Sequence, residues 1–264
     1  MRPNTLKTLW SSGRAAVNGW CAIPSSWSAE LMAHAGWDSL TLDLQHGLID
    51  YSTALPMLQA ISTTNTIPLA RVPWNEPGVI MKLLDAGAYG IICPMINSRE
   101  ECERFVGACR YAPVGYRSNG PTRAVVYAGD DYQPNAADNI LTFAMVETAE
   151  AVQNVEAIVS TPGLNGVYVG PSDLSLSMQG KPRMDLQDEA MLAVLDVIAA
   201  ACKKHNVVAG IHCNSTDYAR FIIERGYQFV TIRSDGALLS QIAKQSVEAV
   251  KGTGAKAAAS AGPY

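Results

Sequence analysis

Residues 39–73 read SLTLDLQHGLIDYSTALPMLQAISTTNTIPLARVP, and the order of apolar and polar residues in this stretch decides the fold. An apolar run over 39–45 gives way to an amphipathic, helix-like segment over 51–62, and the chain returns to a second apolar run over 67–73. The two runs are nearly continuous rather than alternating, as expected of strands in a parallel sheet covered by helices. The same unit recurs on both sides. Apolar runs fall at 19–23, 39–45, 67–73, 90–96, 141–147, 164–171, 207–213 and 229–235. Helix-like segments fall between and after them, at 26–35, 51–62, 77–86, 98–109, 148–159, 186–204, 215–224 and 236–250. Ser98 and Ser215 stand where helix N-caps belong, and Gly87 and Gly226 where helices stop. Eight repeats, with no glycine-rich nucleotide loop after the first run, favour closure into a (β/α)8 barrel over an open doubly wound sheet.

A barrel of this type needs ~250 residues, so 264 residues fit one barrel domain spanning 1–264 without remainder. The Ala/Gly-rich tail, 251–264, is expected either to be flexible or to pack on a neighbouring subunit. Residues 112–139 fall outside the alternation as a long polar segment, and a loop of that length in a compact domain is usually functional. A net charge of −4 leaves no electrostatic footprint for nucleic acid or anionic lipid. No apolar run is long enough to span a bilayer, and the first residues lack the apolar stretch of a signal peptide. Six scattered cysteines without a C-x-x-C pair read as reduced, buried thiols of a cytoplasmic protein.

In barrels of this type the active site lies at the C-terminal ends of the strands. Here the apolar runs finish repeatedly in polar residues: Asp43 and His46, Arg71, Glu147, Asp173, His212, and Arg233 with Asp235. Glu147 and Asp173 come from adjacent strands, and two carboxylates with open positions suit a hard divalent cation such as Mg2+ or Mn2+. Taken singly, each is as well explained as a helix cap or turn residue. Arg71 ends a buried strand and must have an anionic partner, either a substrate carboxylate or oxo group, or Asp43 or Asp85 in a structural ion pair. His46 is the strongest acid/base candidate, with Asp43 or Asp85 to orient it. His212 lies within a strand, where a satisfied core histidine is the expected reading. Gly170, Pro171, Ser172 and Asp173 form a turn opening a helix, whose free N–H groups suit a carboxylate. No lysine ends an expected strand, which argues against Schiff-base chemistry and leaves Lewis-acid stabilisation of an enolate.

The chain resembles the 4-hydroxy-2-oxoheptanedioate aldolase family, the class II pyruvate aldolases grouped with the citrate lyase β-subunit. The likeness runs in order through Gly19-Trp20, Ser28-Ala29-Glu30-Leu31, Asp43-x-x-His46, Arg71-Val72-Pro73-Trp74-Asn75 and Leu83-Leu84-Asp85-x-Gly87. It continues through Arg110-Tyr111-x-Pro113-x-Gly115-x-Arg117, Glu147-Thr148 and Val169-Gly170-Pro171-Ser172-Asp173-Leu174-Ser175. The resemblance implies a barrel of the phosphoenolpyruvate/pyruvate-binding type and a divalent metal (Mg2+, Mn2+ or Co2+) on Glu147 and Asp173. It implies that pyruvate chelates the metal, that Arg71 steadies the enolate, and that backbone amides over 170–173 hold the carboxylate. It further implies that Trp20 lines the pocket, that His46 with Asp43 or Asp85 serves the acid/base step, and that the enzyme is a homohexamer. Two departures stand out. Gln45 replaces a glutamate before the histidine and Gly47-Leu48 an Ala-Pro after it, while residues 118–123 replace a glycine-rich sequence. The expected activity is cleavage or formation of a 4-hydroxy-2-oxo acid from pyruvate and an aldehyde. An oxaloacetate-type decarboxylase or a related pyruvate or phosphoenolpyruvate lyase using the same enolate site is the alternative, and a non-catalytic binding protein a third.

Overall fold

The apolar runs become eight parallel strands: β1 (Ala16–Cys21), β2 (Ser39–Asp43), β3 (Ile67–Arg71), β4 (Gly90–Cys93), β5 (Leu141–Val146), β6 (Gly166–Val169), β7 (Val208–Cys213) and β8 (Phe229–Ile232). They pair in chain order, and β8 returns to β1, so the computed structural model is a closed (β/α)8 barrel. It describes residues 1–252; the expectations for residues 253–264 lie outside the described residues. Around the strands run α1 (Thr5–Ser11), α2 (Ser26–Ala33), α3 (Tyr51–Ile61), α4 (Pro77–Asp85), α5 (Arg99–Cys109), α6 (Thr122–Ala128) and α7 (Tyr132–Asn139). They continue with α8 (Ala149–Gln153), α9 (Val155–Val159), α10 (Pro171–Gln179), α11 (Glu189–Lys204), α12 (Thr216–Glu224) and α13 (Asp235–Lys251).

Alternate residues of each strand point into the barrel, and they stack by chemistry. Near the N-terminal ends of the strands, Phe143 and Phe229 stack with ring centroids 4.9 Å apart, and Trp10 of α1 meets both edge-on at 6.0 Å. Above them lies a polar layer in which Asn18 accepts from Ser39 and Thr41 and donates to Thr231. Above that again, Trp20 stacks on Tyr168 at 5.7 Å. The barrel is therefore filled from below, and only its C-terminal end is open for chemistry.

The strands end earlier than the apolar pattern predicts. β4 stops at Cys93 rather than at residue 96, and β6 at Val169 rather than at residue 171. At this rim the chain leaves the ladder to aim side chains and amides into the mouth, and residue type alone does not mark where that happens.

The segment 112–139 is not the loop expected. It contains α6 and α7, both too short for a period to register in the sequence. It joins the end of α5 to the start of β5, which puts it at the face opposite the mouth. There Arg117 bridges Asp85 (2.6 Å) and Tyr132 (3.0 Å), and Arg123 donates to the Ala86 carbonyl (2.6 Å). Within one chain this segment packs on α4 and closes the bottom of the barrel; it does not line the substrate opening.

Helix α13 is the least embedded element. Of its residues only Asp235 is buried, while Leu239 and Ile242 are 60% and 59% exposed. Together with Trp27 and Leu31 of α2 they line an open apolar groove of about 820 Å³.

Candidate active site

The last residue of β3, Arg71, lies in register with the last residue of β2, Asp43. Its Nε donates to Asp43 Oδ1 at 2.9 Å and its terminal nitrogen to Oδ2 at 2.7 Å, a planar two-point pair. Asp43 also accepts from Trp20 Nε1 (3.1 Å) and from the backbone N–H groups of Gln45 (3.1 Å) and His46 (3.2 Å). Burial works to raise its pKa, but the Arg71 hydrogen bonds and charge, with Trp20 and His46, outweigh this and hold the carboxyl below its usual range. The guanidinium lies over the Trp20 ring at 4.8 Å. Arg71 is thereby held rigid with one face toward the mouth. The turn that follows β2 is tight enough to demand glycine: a Cβ on Gly47 would fall 2.3 Å from the Asp43 carbonyl oxygen.

Across the mouth stands Glu147, directly after β5 and 3% exposed. Its Oε1 accepts from the Met95 N–H at 2.8 Å. Met95 presents that N–H from a left-handed backbone (φ 54°), a conformation that costs a non-glycine residue about 1–2 kcal/mol. Glu147 Oε2 packs against Gly170, where a Cβ would approach it to 2.3 Å, so a larger residue there would displace this carboxylate. Burial raises the Glu147 pKa to about 7; the Met95 bond lowers it, and the Asp173 charge pushes it further up. Asp173 is exposed in the first turn of α10, the helix that opens after Gly170. That helix has proline at its start and no side-chain cap, so the first-turn amides of Ser172 and Asp173 are free to receive an anion.

The charges at this rim do not balance. Four charged groups sense one another: Asp43, Glu147 and Asp173 against Arg71. Asp43 and Arg71 neutralise each other, and two carboxylates remain. No group of three or more His, Cys, Asp or Glu residues with metal-binding spacing exists among the described residues. The donor set is thus two carboxylates with one bonded oxygen between them, which fits a hard divalent cation completing its shell from water and substrate. Among the described residues no lysine lies on a strand.

Within one chain Asp43 and Asp85, the two carboxylates expected beside His46, have other partners. Asp43 bonds the backbone N–H of His46, and its remaining capacity goes to Arg71 and Trp20 rather than to the imidazole. Asp85 is the last residue of α4, which runs back down the barrel; it sits at the face opposite the mouth and pairs with Arg117. Within one chain neither carboxylate orients His46, whose side chain is exposed at the rim. Trp20 does face the mouth, 3% exposed against Arg71. Gln45 has its side-chain oxygen buried without a donor among the described residues. His212, expected to be a satisfied core histidine, has the Tyr168 phenol as a hydrogen-bond partner at Nδ1 (3.1 Å), but it is part-exposed and meets Trp20 edge-on at 5.1 Å. Its position at the last inward-facing place of β7 is the signal the sequence offered.

Comparison with known proteins identifies the family. The family model described as HpcH/HpaI aldolase/citrate lyase matches residues 20–241. A hydroxypyruvate/pyruvate aldolase from Rhizorhabdus wittichii is 38% identical over 244 residues, 92% of this chain and 97% of its own length. A 4-hydroxy-2-oxo-heptane-1,7-dioate aldolase from Escherichia coli is 32% identical over 246 residues, 91% of this chain and 92% of its own. Among solved structures, an HpcH/HpaI aldolase/citrate lyase family protein from Burkholderia cenocepacia J2315 superposes with a TM-score of 0.87 at 29% identity, over 94% of this chain and 99% of that one. The matched span carries the whole rim from Trp20 to Asp173 and the barrel that presents it, and the chain belongs to the HpcH/HpaI aldolase/citrate lyase family.

Proposed function

We propose that this enzyme joins and cleaves 4-hydroxy-2-oxo acids, with pyruvate or a C3-substituted pyruvate as the donor half and an aldehyde as the other product. The observation that carries the proposal is the unbalanced pair of carboxylates, Glu147 and Asp173, beside an arginine already fixed by Asp43. Relatives along nearly the whole chain are aldolases for such substrates, and the family is divalent-metal dependent. No observation favours the decarboxylase alternative.

Glu147 and Asp173 would hold the cation, with Mg2+, Mn2+ and Co2+ all fitting oxygen donors of this kind. When bound it supplies a Lewis acid beside the oxygen on which the enolate charge develops. This chain's own residues do the rest. The amides of Ser172 and Asp173 take the substrate carboxylate, and Arg71, held flat by Asp43 and Trp20, donates to the oxo oxygen. His46 at the rim removes the proton from the C4 hydroxyl. The C3–C4 bond then breaks, its electron pair enters the enolate, the aldehyde departs, and a proton returned to C3 completes the 2-oxo acid. Trp20 forms the floor and keeps water from below the enolate.

The apolar face of α13 supports self-association, since exposed patches of this kind are usually covered by a partner. We place the enzyme in a homo-oligomer, the hexamer that the family likeness suggests. Six buried free thiols suit a reducing cytoplasm.

These readings have direct tests. Glu147→Ala loses bound metal and turnover together. His46→Ala keeps the metal, measured by calorimetry, but loses about 10²–10⁴-fold in kcat; activity that survives EDTA contradicts the site. The raised pKa of Glu147 sets the sign of a pH effect: below about pH 7 a proton occupies the carboxylate and competes with the ion. Mn2+ affinity therefore falls roughly tenfold per pH unit below that point, with one proton released per ion bound. The Leu239→Glu/Ile242→Glu variant sediments as a smaller species than the wild type if α13 is the contact.

A further inference from the structure

The turn that follows β4 is held from two sides. Met95, in its left-handed conformation, gives its N–H to Glu147 Oε1 (2.8 Å), and its carbonyl accepts from the side-chain amide of Asn97 (3.3 Å). The orientation of that amide is set by Thr148, the N-cap of α8. The Thr148 hydroxyl oxygen accepts from the Ala151 N–H at 3.0 Å, and its one hydrogen goes to Asn97 Oδ1. Thr148 is also the residue that follows Glu147. The bonds therefore close a ring: from the Glu147 carboxylate to Met95, from Met95 to Asn97, from Asn97 to Thr148, and back to Glu147 through one peptide bond.

The backbone around Asn97 is tied down independently of this ring. Its N–H donates to Glu101 Oε2 (2.7 Å), its carbonyl accepts from Asn154 Nδ2 (2.8 Å), and the Ile96 N–H reaches the Met145 carbonyl (3.3 Å). What the side chain adds is control of the Met95 peptide, which must stay in a sparsely populated conformation to reach Glu147. The consequence falls on the carboxylate. With one oxygen held by a fixed N–H, it offers an ion its other oxygen, and turning to present both would break the bond. Ions differ in what they ask of a carboxylate. Mg2+ demands near-octahedral geometry with oxygens at about 2.0–2.1 Å, whereas Ca2+ gathers about 6–8 oxygens at about 2.3–2.6 Å and accepts both oxygens of one carboxylate.

We infer that Asn97 is a positioning residue that sets ion selectivity: by pinning the Met95 N–H on Glu147 it keeps that carboxylate to one free oxygen, and so favours Mg2+ over Ca2+. This rests on the placement of the cation at Glu147 and Asp173 proposed above. Asn97 itself touches neither ion nor substrate in this account; it acts through Met95.

The test is calorimetric titration of the metal-stripped protein with Mg2+ and with Ca2+, at one pH and without substrate. Asn97→Ala removes the grip on Met95 and frees Glu147 to present both oxygens. The ratio of the Ca2+ Kd to the Mg2+ Kd falls about tenfold from its wild-type value, the factor that one lost hydrogen bond supplies. Thr148→Val releases the same amide from the other side and lowers the ratio in the same direction, and it carries the test if Asn97→Ala does not fold. Thr148→Ser keeps the hydroxyl and restores the wild-type ratio. Ser98→Ala removes the N-cap of α5 beside Asn97 but no member of the ring, so it lowers the unfolding temperature and leaves the ratio unchanged. An unchanged ratio in Asn97→Ala and Thr148→Val, or an equal shift in Ser98→Ala, overturns the inference while the cation site stands. If the wild type binds neither ion, or Glu147→Ala binds both as well as the wild type does, the cation site itself fails and the inference falls with it.

Discussion

Charge balance at a half-buried rim governs this site. A guanidinium and three carboxylates converge on one end of the barrel, and burial of Asp43 and Glu147 makes an uncompensated charge on either of them expensive. Asp43 answers Arg71 with a two-point pair, and Trp20 covers both. Glu147 and Asp173 have no such partner among the described residues, and burial first, with the Asp173 charge adding to it, raises the Glu147 pKa to about 7. In the proposed reading a divalent cation would balance these charges, and the same cation would be the reagent that enolate chemistry needs. The feature that would destabilise the empty site is the one that makes it useful.

The barrel supplies the geometry without which these groups would not meet. Asp43 and Arg71 end neighbouring strands in register, and Glu147 and Gly170 follow neighbouring strands two positions further round. Small local devices refine the placement. Met95 takes a left-handed backbone to give Glu147 an N–H, and Gly170 and Gly47 carry no side chain because there is no room for one. The proline at the start of α10 leaves its first amides facing outward. Below them, the polar layer around Asn18 separates the aromatic plug from the mouth.

Much of this was legible in the sequence because it depends on period and composition. Eight apolar runs separated by amphipathic segments demand a covered parallel sheet, and the repeated finish of those runs in Asp, Arg and Glu marks the rim. Partner identity was less legible. Asp43 and Asp85 both stood as partners for Arg71 and for His46; only the direction of α4 removes Asp85 from this chain's mouth, and only the five hydrogen bonds of Asp43 show that the imidazole is not among its contacts. Residues 112–139 read as a functional loop because α6 and α7 are too short to declare a period, and because a sequence does not say which face a connection lies on. His212 read as core because strand position gives burial but not depth along the barrel axis.

The most direct test of the account is a crystal structure of the protein with Mn2+ and pyruvate, with the ion located by its anomalous scattering. The account predicts one peak shared by Glu147 and Asp173, with pyruvate lying between it, Arg71 and the amides of Ser172 and Asp173. A mouth without such a peak, or a peak elsewhere with pyruvate bound away from Arg71, would contradict it.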